Sequence, residues 1–375
     1  MGRKRIATIL AVLAVIMIFS ACGEKTVKQT YNIIQDSKFD AVFLDVSIDD
    51  FIASGFHFGD SCNVAFSNGL TFEDIPFYSG YYVRSGMPLI VGYPGYEYLA
   101  VTRNNQGLWT DAGLTENDTA VVTLHEAGKY LNEQETLSQS YSNDRNAYKD
   151  DIQFSNFRAL SGGNLKDNFL YRGASPVDNQ KNRAASVNAL LEKNGIRFIL
   201  DLADSEEEYL SYRKAADFSS FYAAGLYDSG STVLLDISSN YGSDAFKQKL
   251  AGGLQRMILA EGPVYIHCLE GKDRTGFVCV LLESLAGADY NEMLSDYMKT
   301  YENYCGITKE GSWEKYNAIA SLYFDAFVSY LHGTDDGDEL ACADYSQDAV
   351  NYLLDAGMTA DEISALLNMI TKDSD

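Results

Sequence analysis

The run Val264-Tyr265-Ile266-His267-Cys268-Leu269-Glu270-Gly271-Lys272-Asp273-Arg274-Thr275-Gly276 decides the fold. An apolar, β-prone segment enters it, and Phe277 to Leu285 leaves it as a buried helix-forming run. The order is therefore strand, tight loop, helix. A loop of this kind turns successive backbone N–H groups inward, and the start of the following helix adds positive potential. That geometry binds a phosphate dianion. Five residues separate Cys268 from Arg274, which lets the guanidinium fold back over the loop and grip two oxygens at once. Gly271 permits close backbone approach. Cys268 is thus a candidate nucleophile and Arg274 a candidate phosphate clamp. The bland alternative, a core cysteine and a surface arginine, does not account for the order of strand, loop and helix.

Working outward, residues 152–375 read as an α/β domain. Candidate strands are Phe169-Arg172, Arg197-Leu202, Val233-Ile237 and Val264-His267. Helical stripes lie between them, Ala184-Val187-Leu190-Leu191 and Phe246-Leu250-Leu254-Met257. Strands alternating with helices predict a largely parallel sheet flanked by helices. After Gly287 the pattern is all helical, a C-terminal extension. Upstream, residues 39–131 show short β-like runs at Ala41-Leu44, Tyr81-Val83, Leu89-Val91, Tyr98-Thr102 and Ala120-Thr123, punctuated by turns. They predict a small β-rich domain. Residues 132–151 are polar and tyrosine-rich and read as a linker or a solvated helix.

The string His267-Cys268 with Arg274-Thr275-Gly276 carries the signature of the protein tyrosine phosphatase superfamily, HC-x5-R-[ST]-G. The fuller HC-x-x-GKDRTG resembles its secreted bacterial branch of tyrosine and dual- or lipid-specific phosphatases. Asn156-Phe157-Arg158 with Gly162-Gly163 resembles that branch's N-F-R-x-x-G-G opening. Tyr171-Arg172-Gly173-Ala174 resembles its Y-R-S-A strand, and Ile199-Leu200-Asp201-Leu202 its strand ending in D-L-R, although Ala203 stands where arginine is usual. The likeness spans roughly residues 152–305. It implies a tyrosine-phosphatase-like sheet and a two-step reaction through a phosphocysteine on Cys268, with no cofactor or metal. It further implies that the loop residues Leu269, Glu270, Gly271, Lys272, Thr275 and Gly276 bind substrate, that Thr275 assists the sulfur as it leaves, and that His267 and Asp201 support the loop.

The resemblance assigns the general acid to Asp273. Many relatives instead place an aspartate on a separate loop before the cysteine, where Asp228, Asp236 and Asp244 lie; Asp236, at a strand end, is the leading alternative. Lys272 reads either as a rim lysine or as a contact to a second phosphate. Arg158 and Arg172 could line the pocket or form structural ion pairs. Tyr297, Tyr301 and Tyr304 at helical spacing read as core.

The net charge of −24 over 375 residues argues against a nucleic-acid partner. Six cysteines and four histidines show no metal-binding spacing. Met1 to Arg5 is basic and Ile6 to Phe19 apolar, shorter than a comfortable bilayer span. Phe19-Ser20-Ala21-Cys22 follows and resembles a bacterial lipobox. The sequence thus predicts a lipoprotein signal over 1–21, lipidation of Cys22, a tether over 22–38, and an extracytoplasmic protein held at the membrane by its lipid. Loss of the signal leaves 26 basic against 53 acidic side chains. Through Phe58-Gly59-Asp60, Asn63 and Tyr96 to Thr123, residues 39–131 resemble the C-terminal β-barrel of the SAM hydroxide adenosyltransferases.

Together these readings point to an exported cysteine phosphatase acting on phosphotyrosine proteins. A phosphoinositide or inositol polyphosphate is the alternative substrate. An idle phosphate-binding surface module is the alternative from another class.

Overall fold

The computed structural model describes residues 27–372. The expected signal, Cys22 and the first part of the expected tether lie outside the described residues.

The first half is a closed seven-stranded barrel, β1 (Lys28–Asp36), β2 (Ala41–Leu44), β3 (Ser61–Phe66), β4 (Thr71–Tyr78), β5 (Pro88–Val91), β6 (Leu99–Arg103) and β7 (Thr119–Glu126), in the order β1-β2-β6-β5-β4-β3-β7. Closure removes the exposed strand edges that an open sheet of this size would present. Inward residues such as Ile33, Val42, Leu44, Phe77, Val101 and Val122 alternate with outward ones and fill the interior. The helix Ile48–Ala53 inserts Phe51, which stacks on Phe56 at 4.3 Å and meets Phe77 edge-on at 4.9 Å.

Two sequence expectations change here. Lys28–Asp36, within the expected tether, is a barrel strand pairing with both β2 and β7. Tyr81-Val83, expected as a strand, lies in the connection between β4 and β5. Those two strands run parallel, with Tyr78 beside Val91, so the chain must return along the outside of the barrel before pairing again. The connection lies on an apolar outer face formed by Ala41, Leu89, Val91 and Ala100. That face drove the β-like reading of Tyr81-Val83, because periodicity shows burial and not the direction of the chain.

The second half is a five-stranded sheet in the order β11-β10-β12-β9-β8. Its strands are β8 (Arg158–Ala159), β9 (Leu170–Gly173), β10 (Phe198–Asp201), β11 (Thr232–Leu234) and β12 (Val264–His267). All neighbours are parallel except the antiparallel edge strand β8. One face packs on the helices Asp244–Met257, Asp273–Leu285, Ser346–Asp355 and Ala360–Ile370, the other on Ala184–Lys193, Glu206–Tyr212 and Phe221–Asp228. This is the flanked, largely parallel sheet that the alternating pattern predicts.

Residues 132–151 are not a free linker. Arg183, 1% exposed, is ringed by Tyr141, Phe154 and Tyr304 at 4.7–5.7 Å and donates to the Ser142 carbonyl and the Asn143 amide oxygen. A buried guanidinium needs such partners, so it holds the segment against the second half.

Candidate active site

Register places the site. Gly173, His267 and Asp201 are paired neighbours at the carboxyl ends of β9, β12 and β10. Ligand sites in parallel sheets form in the crevice outside these ends. The loop from Cys268 to Lys272 leaves β12 there, and the helix from Asp273 follows.

All five carbonyls of residues 268–272 are tied away from the crevice. That of Cys268 accepts from His267 Nδ1 at 3.3 Å, Leu269 from the Ser175 N–H at 3.0 Å, and Glu270 from the Tyr304 hydroxyl at 2.7 Å. The Gly271 carbonyl accepts from Asn156 Nδ2 at 3.2 Å and Arg172 Nη2 at 2.9 Å, and the Lys272 carbonyl from the Gly276 N–H at 2.8 Å. With each peptide so oriented, the N–H groups of 269–272 point the other way, and among the described residues they have no acceptor. Gly271 sits at φ +64°, and a Cβ there would fall 2.2 Å from the Gly173 carbonyl oxygen, so only glycine suits the position.

Cys268 is buried at the floor of a cleft of about 1000 Å³ that Lys272, Asp273 and Arg274 also line. Arg274 Nη1 donates to the Ile237 carbonyl at 3.1 Å, which fixes the guanidinium. The Thr275 hydroxyl is buried without a partner. Gly276 packs on the Tyr297 ring, which a Cβ would approach at 2.7 Å. The Glu270 carboxylate is engaged along the cleft wall, where the Tyr141 hydroxyl donates to it and Lys181 lies 4.0 Å away. The Glu270 group that suits an anion is its backbone N–H, which has no acceptor among the described residues.

Burial disfavours the Lys272 ammonium, but Asp273, Tyr93, Tyr141 and Glu270 outweigh it, so the amine stays charged. His267 is buried and its basicity falls to about 4, chiefly through desolvation, which makes it a neutral ring near pH 7. Its Nδ1 donates to a carbonyl, so Nε2, 3.8 Å from Asp201 Oδ2, carries no proton. Asp201 Oδ1 accepts from the N–H groups of Ala203 and Asp204. Burial raises both carboxyls of the Asp201–Asp204 pair above the usual range. Their Oδ2 atoms are buried without other partners, and a proton held between them satisfies both.

The candidate acids separate. Asp273 lines the cleft, 3.7 Å from Lys272 Nζ. Asp236 faces Lys249 at 3.7 Å and lines a separate small cavity with Lys38. Asp228 forms a two-pronged ion pair with Arg213 at 2.6 and 3.0 Å. Asp244 opens the helix that Ser243 caps.

Arg158 and Arg172 do not reach the crevice. Both grip Asp296 at 2.6 Å, and Arg172, with none of its surface exposed, passes the connection on to the Gly271 carbonyl. The signal for Arg172 lay in the Y-R-S-A-like strand. Helical spacing marked Tyr304 as core, as it is, but nothing local marked Asp296 or Tyr141, because their role depends on which segments meet.

A buried cysteine beneath inward N–H groups, at the carboxyl end of a largely parallel sheet, makes an anion site of the kind phosphatases use. The model of the tyrosine phosphatase family matches residues 153–372, more than half of the chain, and the chain belongs to that family. The match runs well past residue 305 and takes in the C-terminal helices. Over 76 residues the chain is 36% identical to the triple specificity protein phosphatase PtpB of Mycobacterium tuberculosis, an alignment covering 18% of this chain and 28% of that relative. The chain thus spans little more than a quarter of that curated relative. The crystal structure of P. aeruginosa TpbA aligns over 56% of this chain and 96% of its own length, at 18% identity and a TM-score of 0.22.

Proposed function

We propose that the chain is an exported, lipid-anchored cysteine phosphatase that hydrolyses phosphomonoesters, with phosphotyrosine in proteins as its substrate. The observation that carries the reading is the loop's carbonyl pinning. It leaves preorganised donors aimed where phosphate oxygens gain charge, around a cysteine. Export and anchoring rest on the basic, apolar and lipobox-like residues 1–22 alone.

In the proposed first step, the Cys268 thiolate attacks phosphorus, the ester P–O bond breaks, and Asp273 gives its proton to the departing oxygen. Arg274 and the loop N–H groups hold the equatorial oxygens. In the second step water attacks the phosphocysteine, Asp273 takes the water's proton, the S–P bond breaks and phosphate leaves. The unpartnered Thr275 hydroxyl is placed to donate to the sulfur as charge returns to it. Neutral His267 braces the Cys268 carbonyl from behind.

Phosphotyrosine is favoured over a polyphosphorylated inositol by the cations in the cleft. Outside the loop, Lys38 is paired with Glu208 at 2.5 Å, Lys181 lies beside Glu270, and Arg103 is drawn over the Phe72 ring at 5.8 Å. Lys272 and Arg274 remain for a single phosphate.

The test is phosphate release by the chain from Gly23 onward, with a chelator present. Its substrates are a phosphotyrosine peptide, a phosphoserine peptide, a phosphoinositide and an inositol polyphosphate. Release fastest from the phosphotyrosine peptide is expected. No release from any of them by folded, reduced protein would favour the idle binding module.

Asp273→Asn tests the acid. A phenol with electron-withdrawing substituents leaves without a proton, whereas the tyrosine phenol needs one. The variant should therefore slow phosphotyrosine hydrolysis by about 10²-fold or more and activated aryl phosphates far less. Equal losses on the two would remove Asp273 from the role.

A further inference from the structure

One wall of the cleft comes from the barrel, which carries none of the phosphatase motifs. Topology puts it there. Because Tyr78 and Val91 pair in parallel, the connections that follow β4 and β5 leave from the same end of the barrel. Tyr81 lies on the first; Tyr93 and Tyr96 lie on the second. Their rings form a chain, Tyr81 to Tyr93 at 6.0 Å and Tyr93 to Tyr96 at 5.4 Å. The outer face of the barrel backs this chain. From the other side, the Tyr323 hydroxyl donates to the Tyr81 carbonyl at 3.4 Å.

Tyr93 and Tyr96 line the same cleft as Cys268 and Arg274. They are close enough to the loop for Tyr93 to feel the charge of Lys272 and Tyr96 that of Arg274. Both are only partly buried, so each has surface left to contact a ligand. A row of rings beside an anion cradle offers a flat, apolar contact to whatever carries the phosphate. Another flat ring gains most from it.

We infer that the barrel is part of the substrate site: Tyr93 and Tyr96 form one wall of a slot for an aromatic ring, and so select aryl phosphates over alkyl phosphates. The inference rests on the phosphatase reading for its chemistry, but its content is binding.

Calorimetric titration of the Cys268→Ser chain from Gly23 onward tests it, because that protein holds a ligand without consuming it. The probes are a phosphotyrosine peptide, the matching phosphoserine peptide and inorganic phosphate. Adding Tyr93→Ala is expected to weaken the phosphotyrosine peptide about five- to tenfold, with the other two ligands changed by no more than about twofold. Tyr96→Ala should act in the same direction, and Tyr93→Phe, which keeps the ring, should bind as the parent does. Equal weakening of all three probes, or no weakening of phosphotyrosine by either alanine, would overturn the inference. Selective weakening in a parent chain that releases no phosphate would sink the proposed reaction and leave the slot standing.

Discussion

Cys268→Ser is expected to lower phosphate release by about five orders of magnitude or more, as loss of the nucleophile does in other covalent enzymes. The reason is chemical. Serine fits the space of the buried thiol and leaves every carbonyl bond of residues 268–272 in place, but its hydroxyl has no nearby base to ionise it. His267 does not serve, because its Nδ1 proton is committed to the Cys268 carbonyl and its Nε2 faces Asp201. Anion binding should survive, and should tighten if the thiolate had repelled the phosphate. Turnover and phosphate affinity are therefore measured together. A variant that loses both would mean that the loop had collapsed. One that keeps appreciable turnover would mean that Cys268 is not the nucleophile.

Asp296→Ala is expected to destabilise the second half of the chain by about 3–5 kcal/mol, since removing one member of a buried charge cluster strands the others. Two arginines depend on this carboxylate. Burial works against its ionisation, but Arg158 and Arg172 outweigh that and hold it below the usual carboxylate range. In the parent chain Glu283 does not share this role. Burial and the neighbouring Asp296 charge push Glu283 well upward, so it stays protonated, and neither of its oxygens has a partner. Arg172 also donates to the Gly271 carbonyl, so the loss should travel to the loop and weaken phosphate binding. Thermal unfolding and phosphate titration of the same variant read both effects. Asp296→Asn, which keeps a hydrogen-bond acceptor without the charge, should fall between the parent and Asp296→Ala. An Asp296→Ala protein that melts within about 1 kcal/mol of the parent would contradict the role given to the cluster.

The two predictions depend on different kinds of information. Strand, loop and helix around Cys268 were legible because they are contiguous: apolar run, turn glycine and helix former each act on their neighbours within a few residues. The alternation of strand and helix across residues 152–375 was legible for the same reason, since each element's buried stripe is written in its own periodicity.

What the sequence alone determined is thus the anion-binding loop, the order of elements around it and the candidate pair Cys268 and Arg274. Tertiary structure decided the rest. It made Lys28–Asp36 a barrel strand, because closure requires a partner for both β2 and β7. It took Asp236 away from the crevice and left Asp273 in it. It turned the Glu270 side chain toward Tyr141, and it carried Tyr93 and Tyr96 from a separate domain to the mouth of the cleft. Asp273 apart, which the loop motif already marked, none of these had a local signal. Each depends on which distant surfaces bury one another, and that is fixed by the shape of the whole chain and not by the spacing of residues along it.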